Sequence, residues 1–346
     1  MTFKTSKKPQ GLIIDVDTVA SSIACTQKEN GEIPWSVGEK TDPWDMVESI
    51  MGLTIGGLVK EARKGFEWLL NEQLPNGSWY ASYINGIPED RTMDTNMSTY
   101  LAVGALHHYT ITGDKDYLAR LWPAVKAGID FAMRMQAPDG EIHWAQSPEG
   151  KTDPMALLTG SSSVFMSTKC AITMAGILGH DCDEWMPRLN LLGDSLKNRR
   201  HSYNVTKSRF SMDWFYPILA GAVTGEEAQK RLHKYWKKFV VEGMGIRCVS
   251  DQPWVTIAES AEFVLALHAM GNVNQAEIVF NWIHGRTYDD GSYWCGFTFP
   301  DMVIWPEDKL TWTNAVVLMA ADALYGLTPA SNFFTHDFWR SRNLCW

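Results

Sequence analysis

The segment Gln73-Leu-Pro-Asn-Gly77-Ser-Trp79 decides the fold, because the chain repeats its pattern of a Gln, a Gly and a closing aromatic residue. Further copies occupy residues 27–35 and 136–144, and a degenerate copy occupies residues 289–294. Each copy follows an apolar stretch with helical spacing, which is typical of a helix that ends in a glycine-containing turn. Repetition of such a unit predicts an architecture of repeated helices.

The composition indicates an ordinary globular protein with a sizeable core. Of its 346 residues, 45% are hydrophobic and 21% are charged, and no linker divides the chain, so we expect one domain over residues 1–346. The net charge of −9 argues against a nucleic acid or an anionic membrane surface as partner. Six cysteines without regular spacing predict a reduced, cytoplasmic protein, and no apolar stretch predicts a membrane span.

Helical patterns follow one another in pairs, and one member of each pair is small and apolar along its whole length. A helix that is apolar on all sides is buried on all sides, so six such helices predict an inner ring. With about six outer partners they form an all-α fold, the (α/α)6 barrel or six-hairpin toroid. Short strand pieces are expected at 35–37, 78–83 and 293–299. The predicted helices cover residues 12–28, 44–58, 60–74, 95–110, 115–136, 162–178, 184–200, 211–223, 225–240, 256–270, 273–287, 311–326 and 334–343.

Alternating hairpins place the N-termini of all inner helices at one end of the barrel, where the preceding segments converge on a funnel. Five of these six segments contain acids, aromatic residues or both. Each acid alone could be a helix cap. Together with an Arg, they suit a sugar, because rings stack on its C–H faces and charged groups bind its hydroxyls. His107 and His108 are adjacent and cannot share one ion on a helix, so we expect no metal and no cofactor.

The repeats resemble the QW motifs of squalene-hopene and oxidosqualene cyclases, which residues 64–79 match closely and residues 126–144 loosely. In that family the motif tightens a toroid of α-helices, so the resemblance implies the fold. Its catalytic DxDD motif has only a partial counterpart in Asp15-Val-Asp17-Thr18, and no DDxxD motif occurs. The resemblance therefore does not imply cyclase chemistry.

The segments before the inner helices resemble those of the glucoamylase family of six-hairpin glycosidases. The matching stretches are Pro43-Trp44-Asp45, Gly160-Ser161-Ser162, Gly245-Ile-Arg247 with Pro253-Trp254, and Leu310-Thr311-Trp312. This resemblance implies sugar binding by Trp44, Arg247 and Trp254. The sequence departs from the family at the general acid, whose position is taken by Ala156, and the general base has only Asp301 and Glu307 nearby.

We therefore predict a carbohydrate-active enzyme, a glycoside hydrolase that cleaves a small glycoside or glycoconjugate with a pair of carboxylates in the funnel. Glu307 is the predicted base, and Asp94 or Glu259 is the predicted acid. The predicted substrate-binding residues are Trp44, Asp45, Glu48, Asp213, Trp214, Arg247, Trp254, Trp305 and Trp312.

Three alternatives stay open at this point. A terpene cyclase or prenyltransferase-like enzyme would explain the repeats and the many Trp residues, which stabilise cations. A sugar epimerase or lyase would use the same aromatic walls with its own acid and base. A non-catalytic scaffold would bind sugar without cleaving it.

Overall fold

The computed structural model describes residues 11–342 and Leu344. Cys345 therefore lies outside the described residues. The predicted domain 1–346 and the predicted C-terminal helix, which ends at residue 343, lie partly outside them. In the described part the chain is mainly helical, and its α-helices are α1 (Val16–Thr26), α2 (Pro43–Ile55), α3 (Val59–Glu72), α4 (Thr95–Thr99), α5 (Leu101–Thr112), α6 (Lys115–Arg134), α7 (Leu158–Leu178), α8 (Trp185–Asn198), α9 (Met212–Leu219), α10 (Gly225–Phe239), α11 (Ile257–Ala269), α12 (Val273–Ile283), α13 (Thr311–Tyr325) and α14 (His336–Arg340).

Six helices contact one another in a closed order: α2, α5, α7, α9, α11, α13 and again α2. Almost every residue of α2 and α11 is buried, as expected for helices that have neighbours on all sides. The helices between them in sequence cover the ring from outside and bury one face only. In α10, for example, only Ala228, Leu232 and Phe239 are buried.

The repeated Gln ties each outer helix to the next. The Gln73 side-chain amide donates one hydrogen bond to Gly77 O within its own turn (3.0 Å) and another to Ala124 O of α6 (2.9 Å). Gln27 joins α1 to Glu61 O of α3, and Gln136 joins α6 to Arg188 O of α8, both at 2.9 Å. One amide nitrogen thus satisfies two carbonyl groups at each of these three steps of the outer layer.

The repeated Gly allows the turn to touch the neighbouring helix. Gly77 has φ +92°, and a Cβ atom there would lie 2.2 Å from Ala127 O of α6. Gly31 and Gly140 make the same approach to α3 and α8, also with positive φ. In the degenerate copy Gly291 (φ +82°) abuts Thr18 of α1, so this contact joins the turn after α12 to the first helix.

Short antiparallel strands form three small sheets. They are β1 (Ser82–Ile84) with β2 (Ile87–Asp90); β3 (Met93–Asp94), β4 (His143–Gln146) and β5 (Thr152–Ala156); and β6 (Val240–Val241), β7 (Gly245–Arg247), β8 (Trp254–Thr256) and β9 (Gly296–Thr298). β3 and β8 lead directly into α4 and α11, so these sheets lie at the N-terminal ends of inner helices.

Several predicted boundaries need correction. The helix predicted over 95–110 is broken at Tyr100 into α4 and α5. The predicted strand at 35–37 does not form, since Trp35 N donates to Lys40 O across a loop. In place of the strands predicted at 78–83 and 293–299, the structure has the three-residue strands β1 and β9. The five described cysteines are free, and Cys25 is exposed rather than buried. No described helix is long and apolar enough to cross a bilayer.

Candidate active site

Hydrogen bonds bring the N-termini of the inner helices together at one end of the ring. Thr311 N of α13 donates to Trp35 O in the segment before α2 (2.8 Å). The Thr159 hydroxyl of α7 donates to Asp213 Oδ1 of α9 (2.8 Å). Ser211 N, just before α9, donates to Cys248 O, which follows β7 (2.9 Å). The segments that precede these helices therefore surround one mouth.

Two of these helices carry a matched pair of carboxyl groups. Asp45 and Glu48 are the third and sixth residues of α2, and Glu259 and Glu262 are the third and sixth of α11. A spacing of three residues places both members of a pair on one face of the helix. Glu262 interacts electrostatically with Glu48 and Glu259, and Asp45 with Glu48 and Glu262; we call these four groups the acid cluster.

Three members of the acid cluster, Asp45, Glu48 and Glu262, have raised pKa values. Burial, and then the charges of Glu48 and Glu259, raise the pKa of Glu262 well above its usual value. Burial, followed by Asp42 and Glu48, does the same to the pKa of Asp45. Burial raises the pKa of Glu48 to about 8, although hydrogen bonds from Trp44 and Tyr100 oppose the shift. A carboxyl group that is still protonated at neutral pH can donate a proton to a substrate.

Aromatic side chains fix one wall of this cluster. The Trp44 indole N–H donates to Glu48 Oε1 (2.8 Å), and its ring lies 5.3 Å from that of Tyr100 and 5.6 Å from that of Tyr216. The Tyr100 hydroxyl also donates to Glu48 (3.3 Å). Trp44 is half-buried, so one part of a held indole ring stays available for a ligand.

Buried polar atoms near the mouth have no hydrogen-bond partner among the described residues. They include both acceptors and donors, and they belong to the first turns of inner helices or to β7. They are Glu259 Oε2, Asn96 Oδ1, Arg247 Nε and Trp312 Nε1. Buried polar groups are normally paired, so such a mixed set suits a ligand rich in hydroxyl groups. In the described chain no group of three or more His, Cys, Asp or Glu side chains is placed to hold a metal ion.

Asp94, a predicted acid, and Asp213, a predicted substrate-binding residue, make structural hydrogen bonds. Asp94 caps α4 by accepting hydrogen bonds from Asn96 N (2.7 Å) and Met97 N (3.2 Å), and burial raises its pKa to about 6. Asp213 accepts the Thr159 hydroxyl, and burial raises its pKa. Neither is among the groups that shift the pKa values of the acid cluster.

Trp214 lies in the core and not at the mouth. Its ring stacks on Phe263 (4.7 Å) and Phe239 (5.4 Å), and its indole N–H donates to Arg231 O. The prediction that Trp214 binds substrate is therefore wrong in geometry, because the ring joins three helices instead of facing the funnel.

Arg247, Trp254, Trp305 and Trp312 lie at the rim. Trp254 contacts Trp305, Trp312 packs near Trp35 (6.2 Å), and the Arg247 guanidinium lies 4.9 Å from the Phe299 ring centroid. Glu307 is exposed. It lines a separate cavity of about 660 Å³, whose lining also includes residues of α1. The structure thus unites Asp45, Glu48 and Glu259 and separates Glu307 from them.

A characterised relative now gives this geometry a family. The "MMP endo-(1,4)-3-O-methyl-alpha-D-mannosidase" of Mycolicibacterium hassiacum is 44% identical over 315 residues, which are 91% of this chain and 87% of the relative. The chain belongs to the family of this mannosidase. It is a glycoside hydrolase, and the alternative of an isoprenoid enzyme finds no support. No family model matches the chain.

Solved structures agree with this mannosidase family in fold. A D-mannose isomerase superposes with a TM-score of 0.69 at 11% identity, covering 88% of this chain and 95% of that one. A GH63 mannosylglycerate hydrolase from Thermus thermophilus gives 0.68 at 12% identity, with 88% and 99% covered. A glycosidase bound to glucose gives 0.68 at 14% identity, with 92% and 98% covered. At these identities the likeness concerns the fold alone.

The acid of this mannosidase-family chain that the sequence analysis missed is Glu262. Glu262 lies one turn further into an apolar helix than the segments on which the barrel geometry directs attention. A signal was present, because a Glu amid buried apolar residues is rare unless it is paired or functional. Its spacing from Glu259 also repeats that of Glu48 from Asp45.

Proposed function

We propose that Asp45 is the general acid and Glu259 the general base of glycosidic-bond cleavage. The observation that carries this proposal is the matched position of both residues in the first turns of α2 and α11, where each has a second carboxyl group one turn deeper. A substrate that enters at the helix N-termini meets the first-turn groups before the deeper ones. Glu48 and Glu262 then act electrostatically from one turn deeper in α2 and α11.

Asp45 suits the role of acid. Burial and the neighbouring carboxyl groups raise its pKa well above the usual value, which favours the protonated form, and its half-buried side chain is accessible to a glycosidic oxygen. Proton transfer to that oxygen lets the bond to the anomeric carbon break. No other member of the acid cluster combines a raised pKa with this accessibility.

Glu259 suits the role of base because its Oε2 atom is buried and is among the atoms without a hydrogen-bond partner in the described part of the chain. A carboxylate oxygen in this state can accept a proton from the water that attacks the anomeric carbon. In this proposal Glu259 replaces Glu307, whose side chain is exposed and is not among the groups that raise the pKa values of Asp45, Glu48 and Glu262. Asp94 and Asp213 become positioning groups of α4 and α9.

The remaining predicted residues form the sugar-binding surface. Trp44 would line the inner wall, and Arg247, Trp254, Trp305 and Trp312 the rim. The closed ring and its outer helices support a single-domain (α/α)6 barrel related to the six-hairpin glycosidases. The Gln hydrogen bonds support a tightening role for the repeat similar to that of QW motifs. We also propose a reduced cytoplasmic location, and no nucleic acid partner, from the free thiols and the net charge.

The substrate we propose is an α-(1,4)-linked 3-O-methyl-D-mannose oligosaccharide, as the name of the relative states for that protein. Incubation with such oligosaccharides should release shorter methylmannosides, detected by mass spectrometry. Unmethylated mannosides of equal length and free mannose are the controls. Cleavage of other glycosides without cleavage of the methylated ones would refute the substrate, and interconversion of free mannose without hydrolysis would indicate an isomerase.

Glu48→Gln should move the alkaline limb of the kcat/KM profile to lower pH. The Glu48 charge is one cause of the raised pKa of Asp45, so an uncharged amide makes the Asp45 proton easier to lose. Initial rates between pH 5 and 10 measure the limb. Glu242→Gln, an exposed site on the turn after β6, is the matched control. A limb that stays in place or moves to higher pH would remove Asp45 from the role of acid.

A further inference from the structure

The rim beside α11 presents an apolar patch to solvent. Trp305 is 57% exposed and Val303 is 55% exposed, while Trp254 beneath them is half-buried. Among the tryptophans that the structure describes, Trp305 is the one classed as exposed. We call Trp254, Val303 and Trp305 the rim patch. Exposed large aromatic groups near a binding site mark a surface that contacts a ligand.

Connectivity places the rim patch next to the proposed base. Trp254 begins β8, which ends at Thr256, and α11 with Glu259 follows at once. Val303 and Trp305 lie on the segment that returns from β9, where Trp305 N donates to Gly296 O (2.9 Å). A ligand that leaves the acid cluster on this side therefore passes over the rim patch.

The rim patch is held in one arrangement. Trp254 Nε1 donates to Trp305 O (2.8 Å), and the two rings meet edge to face at 5.1 Å. Trp254 also lies over Gly296, where a Cβ atom would come within 2.7 Å of its indole nitrogen. Preformed aromatic surfaces bind with little loss of conformational entropy.

We propose that the rim patch binds O-methylated sugar units next to the unit that is cleaved, and so selects methylated over unmethylated chains; this inference rests on the proposed function. An O-methyl group replaces a hydroxyl donor with apolar surface. The polar acid cluster gains nothing from it, whereas the indole of Trp305 and the side chain of Val303 remove the methyl group from water.

The test compares methylated and unmethylated α-(1,4)-mannosides of equal length. Trp305→Ala should lower the preference in kcat/KM for the methylated chain about fourfold for each methyl group that is returned to water. Trp305→Phe should keep most of the preference, and Ile278→Ala, an exposed apolar site on α12, should keep all of it. Equal decreases on both substrates, or no decrease on either, would overturn the inference.

Binding separates this inference from the proposed function. Calorimetry on Asp45→Asn, with and without Trp305→Ala, measures the ratio of the Kd values for the methylated and the unmethylated chain. A ratio that depends on Trp305 supports the rim patch, whereas the residual activity of Asp45→Asn, assayed separately by product release, tests the catalytic proposal alone. A ratio of one in both proteins contradicts the rim patch whatever the catalytic result.

Discussion

Asp45→Asn should reduce kcat/KM by about a thousandfold, because an amide cannot donate the proton that the glycosidic oxygen needs. The side chain keeps its size, so substrate binding measured by calorimetry should persist. Asp116→Asn is the matched control, since Asp116 is also a first-turn acid but lies exposed on the outer helix α6. Retention of more than a tenth of the activity in Asp45→Asn would assign the acid elsewhere.

The melting temperature of the same variant should rise relative to that of wild type as the pH rises. The pKa of Asp45 is higher in the folded than in the unfolded protein, so its stabilising contribution is present at low pH and is lost as the pH rises through the folded value. The amide has no proton to lose. The melting temperature of Asp45→Asn relative to wild type should therefore be higher at pH 8 than at pH 5, whereas Asp116→Asn should show no such trend.

Gly77→Ala should lower the free energy of unfolding by about 3 kcal/mol, the second large effect we expect. The new methyl group would meet Ala127 O of α6, and the positive φ adds backbone strain. Chemical denaturation followed by circular dichroism measures the loss.

Gly113→Ala is the control for strain without contact. Gly113 ends α5 with φ +66°, and no atom lies within 4 Å of its missing Cβ, so we expect a loss of about 1 kcal/mol. If the two variants were equally destabilised, the close approach to α6 would contribute nothing, and the repeat would be only a helix terminator.

The helices could be predicted from the sequence because burial on all sides leaves an unbroken apolar pattern. The boundaries failed where polar residues face the funnel instead of solvent. The predicted start of α7 at residue 162 falls four residues after Leu158, since Thr159 and Ser161 look like loop residues although they form its first turn. The strands from β2 to β8 were not predicted, because short rim strands lack an alternating pattern.

Some of the candidate site residues could be predicted from the sequence, because they lie close to the start of an inner helix. Asp45, Glu48 and Glu259 stand in or near the segments that precede inner helices, where the barrel geometry directs attention. Glu307 stands in such a segment too, but the loop turns its side chain toward α1. Whether a carboxyl group faces inward depends on the local path of the chain, and sequence spacing alone does not contain that path.

The order of the ring gives α13 an unexpected part in the chemistry. It is the helix between α2 and α11, so it separates the helix of the proposed acid from the helix of the proposed base. On the α2 side the two helices lie close together, because Gly52 faces Ala315 and a Cβ on Gly52 would come within 2.7 Å of the alanine methyl. The spacing of the proposed acid and base therefore depends in part on the contact between a glycine and an alanine that are not members of the proposed site.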